Sequence, residues 1–227
     1  MIGECEDHGY YRCDDRGRIC PLCGEEGKFM MSDFEIEKVG RTLAGMLRHG
    51  KNGAQIDKHG FVPTRNVLDA IKARNPRMGW IRPRHIEALV ATDPKGRYVI
   101  SGDKVRATYG HTIDLDLPLD YDDVPADLFY PISDEEADNL LENGIDPTDR
   151  AMVHLSYTYA DAKRAGAVRY DDPIILLIDV DECEDAGYRI GRAAKTVFLC
   201  SHVPPEALYV AEPEEFETED DEEGEDF

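Results

Sequence analysis

The hydrophobic pattern changes period near the middle of the chain, and this change limits the folds open to it. Before residue 110 the apolar residues recur at helical spacing. Val39, Leu43, Met46 and Leu47 form one stripe on a segment that runs from Ser32 to Arg48-His49. Ser32 with Glu35 three residues on is a capping box, which marks where that helix starts. Further helices are expected from Thr64 ("TRNVLDAIKAR") and from Pro83 ("PRHIEALVA"), and "GRYVISGDKVRATYG" (96–110) reads as two strands around a Ser-Gly-Asp turn. Beyond residue 110 short apolar runs take over: "AMVHLS" (151–156), "PIILLIDV" (173–180) and "TVFLCS" (196–201) are expected strands. Helices are expected at "SDEEADNLLENGI" (133–145), between a Ser133/Glu136 capping box and a Gly144 stop, and at "TYADAKRAG" (158–166). A helical half followed by a strand-rich half gives an α+β chain, and three helices plus a hairpin make its first lobe winged-helix-like.

The 227 residues suffice for one large or two small domains. Four segments are expected: 1–31 with most of the cysteines, 32–105 the winged-helix-like lobe, 106–211 the strand-rich lobe, and 212–227 a disordered acidic tail. The tail, "EPEEFETEDDEEGEDF", holds eleven carboxylates and no base. No apolar run reaches membrane-spanning length and no signal-peptide pattern opens the chain, so a soluble, cytoplasmic protein is expected. A monomer is the default expectation. The formal charge of −22 argues against nucleic acid until its distribution is read. Residues 1–110 carry 19 Lys/Arg against 15 Asp/Glu, and residues 111–227 carry 7 against 33. A basic face that includes Arg65, Arg74, Arg77, Arg82 and Arg84 can therefore meet a polyanion. The acidic excess, with Arg outnumbering Lys by 17 to 9, suits a salt-loving cytoplasm; an acidic protein from low salt is the alternative.

Four of the six cysteines lie within residues 5–23. Cys5-x2-His8 and Cys20-Pro-Leu-Cys23-Gly24 each offer two ligands on a tight turn, and together they suit the tetrahedral preference of zinc. Cys13 is an alternative to His8. Four protein ligands leave no open position, so a structural zinc is expected. Cys183 and Cys200 lie in or beside apolar strands and are read as buried thiols.

Arg48-His49 occupies a helix exit, followed by Gly50 and Gly53. Cations are favoured at that end of any helix, which is the plain explanation for the pair. Two later stretches add to it: "VRATYGH" (105–111), with Arg106 and His111, and "VHLSYTYADAKRAGAVRYDDPIILLID" (153–179), with His154, Ser156 and Arg169. In this order "LAGMLRHG", "DKHGFVPTRNVL", "VRATYGH", "VHLS", the arginine before "DDPIILLID" and "TVFLCSHVPP" resemble the NAD-dependent RNA 2′-phosphotransferases, in their archaeal form with an N-terminal zinc ribbon. The resemblance covers nearly the whole chain except the acidic tail. "LFYPIS" (128–133) stands where most of that family shows Tyr-His-Gly-Thr.

The resemblance implies a zinc ribbon, a winged-helix lobe and an ADP-ribosyltransferase-like lobe, with an active site in the cleft between the last two. It implies that an internal RNA 2′-phosphate attacks C1″ of the NAD ribose, releasing nicotinamide and leaving ADP-ribosylated RNA. The 2″-hydroxyl then takes the phosphate, giving repaired RNA and ADP-ribose 1″,2″-cyclic phosphate. The family's Arg-His-Arg-Arg set falls on Arg48, His49, Arg106 and Arg169, with Arg164 and Arg192 as alternatives for the last. His154 and Ser156 are implied to contact NAD, and His111 to contact a substrate or pack in the core. A nucleic-acid-binding regulator without catalysis, and an ADP-ribosyltransferase that caps terminal phosphates, are the alternative functions.

Overall fold

The capping box at Ser32 forms as its residues predict. In the computed structural model, which describes residues 1–13 and 18–216, the Ser32 hydroxyl accepts from the Glu35 backbone N–H and the Glu35 carboxylate accepts from Ser32 N–H at 2.9 Å. This starts helix α1 (Asp33–His49), which buries Val39, Leu43, Met46 and Leu47. Gly50 ends it at φ 61°, ψ 19°, with its N–H returned to Gly45 O and Met46 O; the left-handed turn suits a residue without Cβ. Arg48 and His49 are thereby held in the last helical turn.

The chain divides into two compact units, Met1–Leu117 and Pro118–Phe227. In the first, β1 (Ile2–Cys5) pairs antiparallel with β2 (Gly9–Arg12) and β3 (Lys28–Met31), and β3 leads directly into α1. Strand β4 (Val62–Pro63) precedes α2 (Thr64–Arg74) and α3 (Pro83–Ala91), both starting at the residues expected. The hairpin β5 (Tyr98–Ser101) and β6 (Lys104–Ala107) completes a small sheet of order β4-β6-β5. Ile2, Met30 and Met31 share one core with α1, α2 and α3, so β1 and β3 are packed into this unit.

The second unit is built on one antiparallel sheet of order β10-β11-β8-β7-β9-β12. Its strands are β7 (Asp127–Ile132), β8 (Val153–Ser156), β9 (Ile174–Asp179), β10 (Gly191–Ala194), β11 (Val197–Cys200) and β12 (Leu208–Val210). Helices α4 (Asp134–Asn143), α5 (Tyr159–Gly166), α6 (Val180–Asp185) and α7 (Pro213–Phe216) accompany them. Neighbouring residues of β7 and β9 point to opposite faces. Phe129 and Ile175 pack with Tyr159 and Ala162 of α5, whereas Leu128, Leu176 and Ile178 join Leu155 and Phe198. Burial on both faces explains why "IILLI" reads as a continuous apolar run.

Two expectations are corrected, and one strand is added. A boundary after residue 105 cuts β6, whereas the units part after Leu117, so Arg106 belongs to the first unit. Strand β7, for which the sequence carried no expectation, holds Pro131, a residue unfavourable within a strand. The sheet tolerates it where the ladder to β8 has shrunk to the single pair Phe129↔Ser156. The segment expected to be disordered from residue 212 begins with α7, whose Phe216 stacks on Tyr159 at 5.9 Å; the rest of that tail lies outside the described residues.

Gly166 closes α5 against two proline rings: a Cβ there would lie 2.7 Å from Pro131 Cβ and 2.8 Å from Pro173 Cβ. Neither ring can swing aside. Gly166→Ala is expected to destabilise the second unit by about 1–3 kcal/mol, read as a lower denaturant midpoint; an unchanged midpoint would show that the packing yields.

Candidate functional site

The first unit brings Arg48, His49, Arg106 and His111 into one neighbourhood. Arg48 and His49 come from the last turn of α1, and Arg106 from β6, where it pairs with Val99. After β6, Thr108 N–H donates to Arg97 O at 3.0 Å and Gly110 turns the chain at φ +86°. Thr112 N–H then donates to Arg48 O at 3.1 Å, so the loop is stitched to the helix exit. A Cβ on Gly110 would sit 3.0 Å from Arg48 Nε, a measure of how closely the loop crosses the guanidinium. His49 is exposed, with Nδ1 3.4 Å from Thr112 Oγ1.

Each arginine lies over an aromatic ring rather than beside a carboxylate. The Arg48 guanidinium is 4.9 Å from the Tyr109 ring centre, and that of Arg106 is 5.4 Å from Phe61. Among the described residues neither has a carboxylate partner, and Arg48 Nε and Nη2, Arg106 Nε and both His111 ring nitrogens are buried without a hydrogen bond. Burial lowers the Arg106 pKa. His111, 3% exposed, is pushed down to about 4, by burial first and then by the charges of Arg48, Arg106 and His49. Buried donors left unpaired cost about 1–3 kcal/mol each. A multivalent oxyanion would satisfy several at once, and the guanidinium fork matches its geometry. Phe61, Tyr109 and Thr112 carry no signal in the sequence alone; the tyrosine of "YGH" is the platform beneath Arg48.

The remaining candidates lie on the second unit. Ser156 is buried at the end of β8, and His154 Nδ1 hydrogen-bonds to Met152 O at 2.9 Å. Arg169 differs from Arg48 and Arg106: it is half exposed and paired with Asp149 at 3.1 Å. Of its alternatives, Arg164 pairs with Asp161 at 2.8 Å on α5. Arg192 lies over Phe198 at 5.1 Å, near Asp123 at 3.4 Å, with a buried and unbonded Nε. Arg192 therefore resembles the buried arginines of the first unit more than Arg169 does.

Cys5, His8, Cys20 and Cys23 form a separate group, their ligand atoms all within 4.8 Å of one another. A tetrahedral zinc with bonds of about 2.3 Å to sulfur and 2.05 Å to nitrogen requires S···S near ~3.8 Å and S···N near ~3.6 Å. Cys5 Sγ to Cys23 Sγ is 3.8 Å, and His8 Nδ1 lies 3.5 Å from Cys5 Sγ and 3.7 Å from Cys20 Sγ. The donor set therefore fits zinc, with His8 rather than Cys13 in the fourth place.

Residues 35–202 match the family described as "RNA 2'-phosphotransferase, Tpt1 / KptA family". The chain is 42% identical over 211 residues, 92% of its length and 88% of the relative's, to a probable RNA 2′-phosphotransferase of Thermoplasma acidophilum. A protein of that name from Methanosarcina mazei is 38% identical over 93% of this chain and 100% of its own. Another from Pyrococcus furiosus is 36% identical over 75% of this chain and 93% of its own.

His111 sets a pH dependence. Its folded pKa near 4 lies below the ordinary 6.5, so the folded state favours the neutral ring. Its contribution is whole above about pH 6.5 and is lost as pH falls toward 4, amounting to roughly 3 kcal/mol. Denaturation of His111→Gln between about pH 7 and 4 is expected to show a shallower acid loss than the parent; parallel curves would contradict this.

Proposed function

The chain belongs to the RNA 2′-phosphotransferase (Tpt1 / KptA) family, and from that premise we propose that it removes an internal RNA 2′-phosphate by transferring it to NAD. The observation that carries this reading is the pair of guanidinium groups of the half-buried Arg48 and the buried Arg106, whose Nε atoms and Arg48 Nη2 are buried without a hydrogen bond and which have no carboxylate partner among the described residues. Such a pair suits an anion that arrives with its own negative charge.

In the first step a 2′-phosphate oxygen attacks C1″ of the nicotinamide ribose of NAD. The C1″–N bond breaks and nicotinamide leaves with the electron pair. The nucleophile is already anionic, so orientation matters more than a strong base. In the second step the 2″-hydroxyl attacks phosphorus and the bond to the RNA 2′-oxygen breaks. The hydroxyl proton goes to that oxygen, yielding 2′-hydroxyl RNA and ADP-ribose 1″,2″-cyclic phosphate. Arg48 and Arg106 hold the non-bridging oxygens, where negative charge concentrates, through preset donors that need no reorientation. His49, exposed beside them and of a residue type that titrates near neutrality, handles the proton. His111 stays neutral until an anion offsets the nearby cations, and then donates to it. Arg169 is assigned to the same set by its place in the family pattern, and His154 and Ser156 to NAD.

We further propose that β1–β3 with the Cys5, His8, Cys20 and Cys23 group form a zinc ribbon holding one structural zinc. Helices α1–α3 with β4–β6 are proposed as a winged-helix-like lobe, and the second unit as an ADP-ribosyltransferase-like lobe. The metal serves folding only; its four ligands leave no open position, and no step passes through it.

The test mixes the protein with NAD and a short RNA bearing an internal 2′-phosphate, following nicotinamide release and phosphate loss. Arg48→Ala and Arg106→Ala are expected to lower turnover by about 10²-fold or more with an unchanged circular dichroism spectrum. Arg48→Lys should rescue little, because a point charge cannot replace a fork. Retained RNA without turnover would instead indicate a binding regulator, and accumulated ADP-ribosylated RNA an enzyme that stops after the first step. A harmless Arg169→Ala would remove that residue from the set. Metal analysis should find one zinc per chain, lost in Cys20→Ser together with the stability of the first unit; a metal-free, equally stable parent would refute the ribbon.

A further inference from the structure

Of the long stretches of this acidic chain that lack acid, one is the most basic. Residues 70–86 contain no Asp or Glu and five Lys/Arg, in a protein with 48 carboxylates. The 74–84 loop, "RNPRMGWIRPR", which includes the last residue of α2 and the first two of α3, carries most of this charge outward: Arg74, Arg77, Arg82 and Arg84 are exposed. Among the described residues none of these four makes an ion pair, although acids abound elsewhere. The loop is anchored from beneath. Met78 and Ile81 are buried in the core, Arg82 Nη1 donates to Gly79 O and Ile81 O at 2.8 Å, and Arg82 N–H donates to His85 Nδ1 at 2.9 Å. From this fixed base Trp80 stands out, 36% exposed, in an edge-type contact with His85 at 4.8 Å.

An exposed indole among cations that form no ion pair among the described residues is what single-stranded nucleic acid requires. A base stacks on the ring whatever its identity, and the flanking phosphates meet the guanidinium groups. The patch is not the phosphate site described above. Helix α3 packs on β1, β2 and β3, the last of which runs into the start of α1, and Glu35 in the first turn of α1 acts electrostatically on His85. Arg48 and His49 lie at the other end of α1, 13 and 14 residues beyond Glu35, or about 20 Å along the helix at 1.5 Å per residue. At ~3.4 Å per stacked nucleotide this spans about six nucleotides.

We propose that the 74–84 loop is a second contact for the RNA substrate, with Trp80 stacking on an unpaired base and Arg74, Arg77 and Arg84 meeting phosphates several nucleotides from the reacting 2′-phosphate. The inference rests on RNA being the substrate, not on the fate of its phosphate. Trp80 is the only tryptophan of the chain, so its fluorescence reports this loop alone.

The test titrates the full chain, without NAD, with an unphosphorylated, unstructured RNA of about a dozen nucleotides. The expected result is a saturable change in Trp80 emission that weakens with added salt, with an apparent affinity about 10-fold lower in Arg77→Ala/Arg84→Ala. In turnover assays the same double variant should raise KM about 10-fold for a long 2′-phosphorylated RNA and leave kcat unchanged. It should leave both unchanged for a 2′-phosphorylated trinucleotide, too short to reach the loop. Binding of labelled RNA with no response from Trp80 would overturn the proposal, as would equal losses on long and short substrates. An inactive parent that still shows the emission change would count against the proposed reaction while leaving this contact standing.

Discussion

Two guanidinium groups packed on aromatic rings, one buried and one half-buried, with no carboxylate partner among the described residues, are the interaction around which the first unit is arranged. A buried charge without a partner is costly, and an arginine, unlike a histidine or lysine, does not escape by losing its proton. The fold limits that cost without cancelling it. Tyr109 and Phe61 supply ring faces, Gly110 lets the loop cross Arg48 at close range, and His111 beside them gives up its proton instead. An adjacent Asp or Glu would have been cheaper for stability but would have filled the donors left open to an oxyanion.

The rest of the unit holds this arrangement in place. Helix α1 sits at its depth because Val39, Leu43, Met46 and Leu47 are buried, each worth about 1.5–3 kcal/mol. Gly50 then stops the helix one residue after the Arg48-His49 pair, and Thr112 ties the returning loop to Arg48 O. The second unit places its candidates differently, on or beside a sheet buried on both faces. Its arginines mostly have acidic neighbours, as expected where 33 carboxylates face 7 Lys/Arg. Charge is thus partitioned along the chain. Cations lie near positions suited to phosphate, and carboxylates crowd the remainder, where they favour hydration.

Much of this could be read directly. The Ser32/Glu35 box, the starts of α2 and α3, the β5–β6 hairpin and the spans of β8, β9 and β11 follow from local rules of capping, period and turn chemistry. The Cys5, His8, Cys20 and Cys23 set was legible because tight turns impose short spacings on metal ligands. Strand β7 was not, since Pro131 contradicts strand propensity and only the thin pairing with β8 permits it. Nor was α7, because eleven carboxylates hid the one residue, Phe216, that finds a place beside Tyr159.

What the sequence by itself determined is therefore the inventory: which segments are helix or strand, where they stop, and which side chains could hold a metal or an anion. These depend on interactions that span a few residues. Only the tertiary structure decided that His8 rather than Cys13 gathers with Cys5, Cys20 and Cys23, and that Arg48 and Arg106 lie on aromatic rings while Arg169 stands half exposed against Asp149. The reason is physical. Burial and the absence of a counter-charge are properties of the surroundings, set by residues far away in the chain, and no local pattern encodes them.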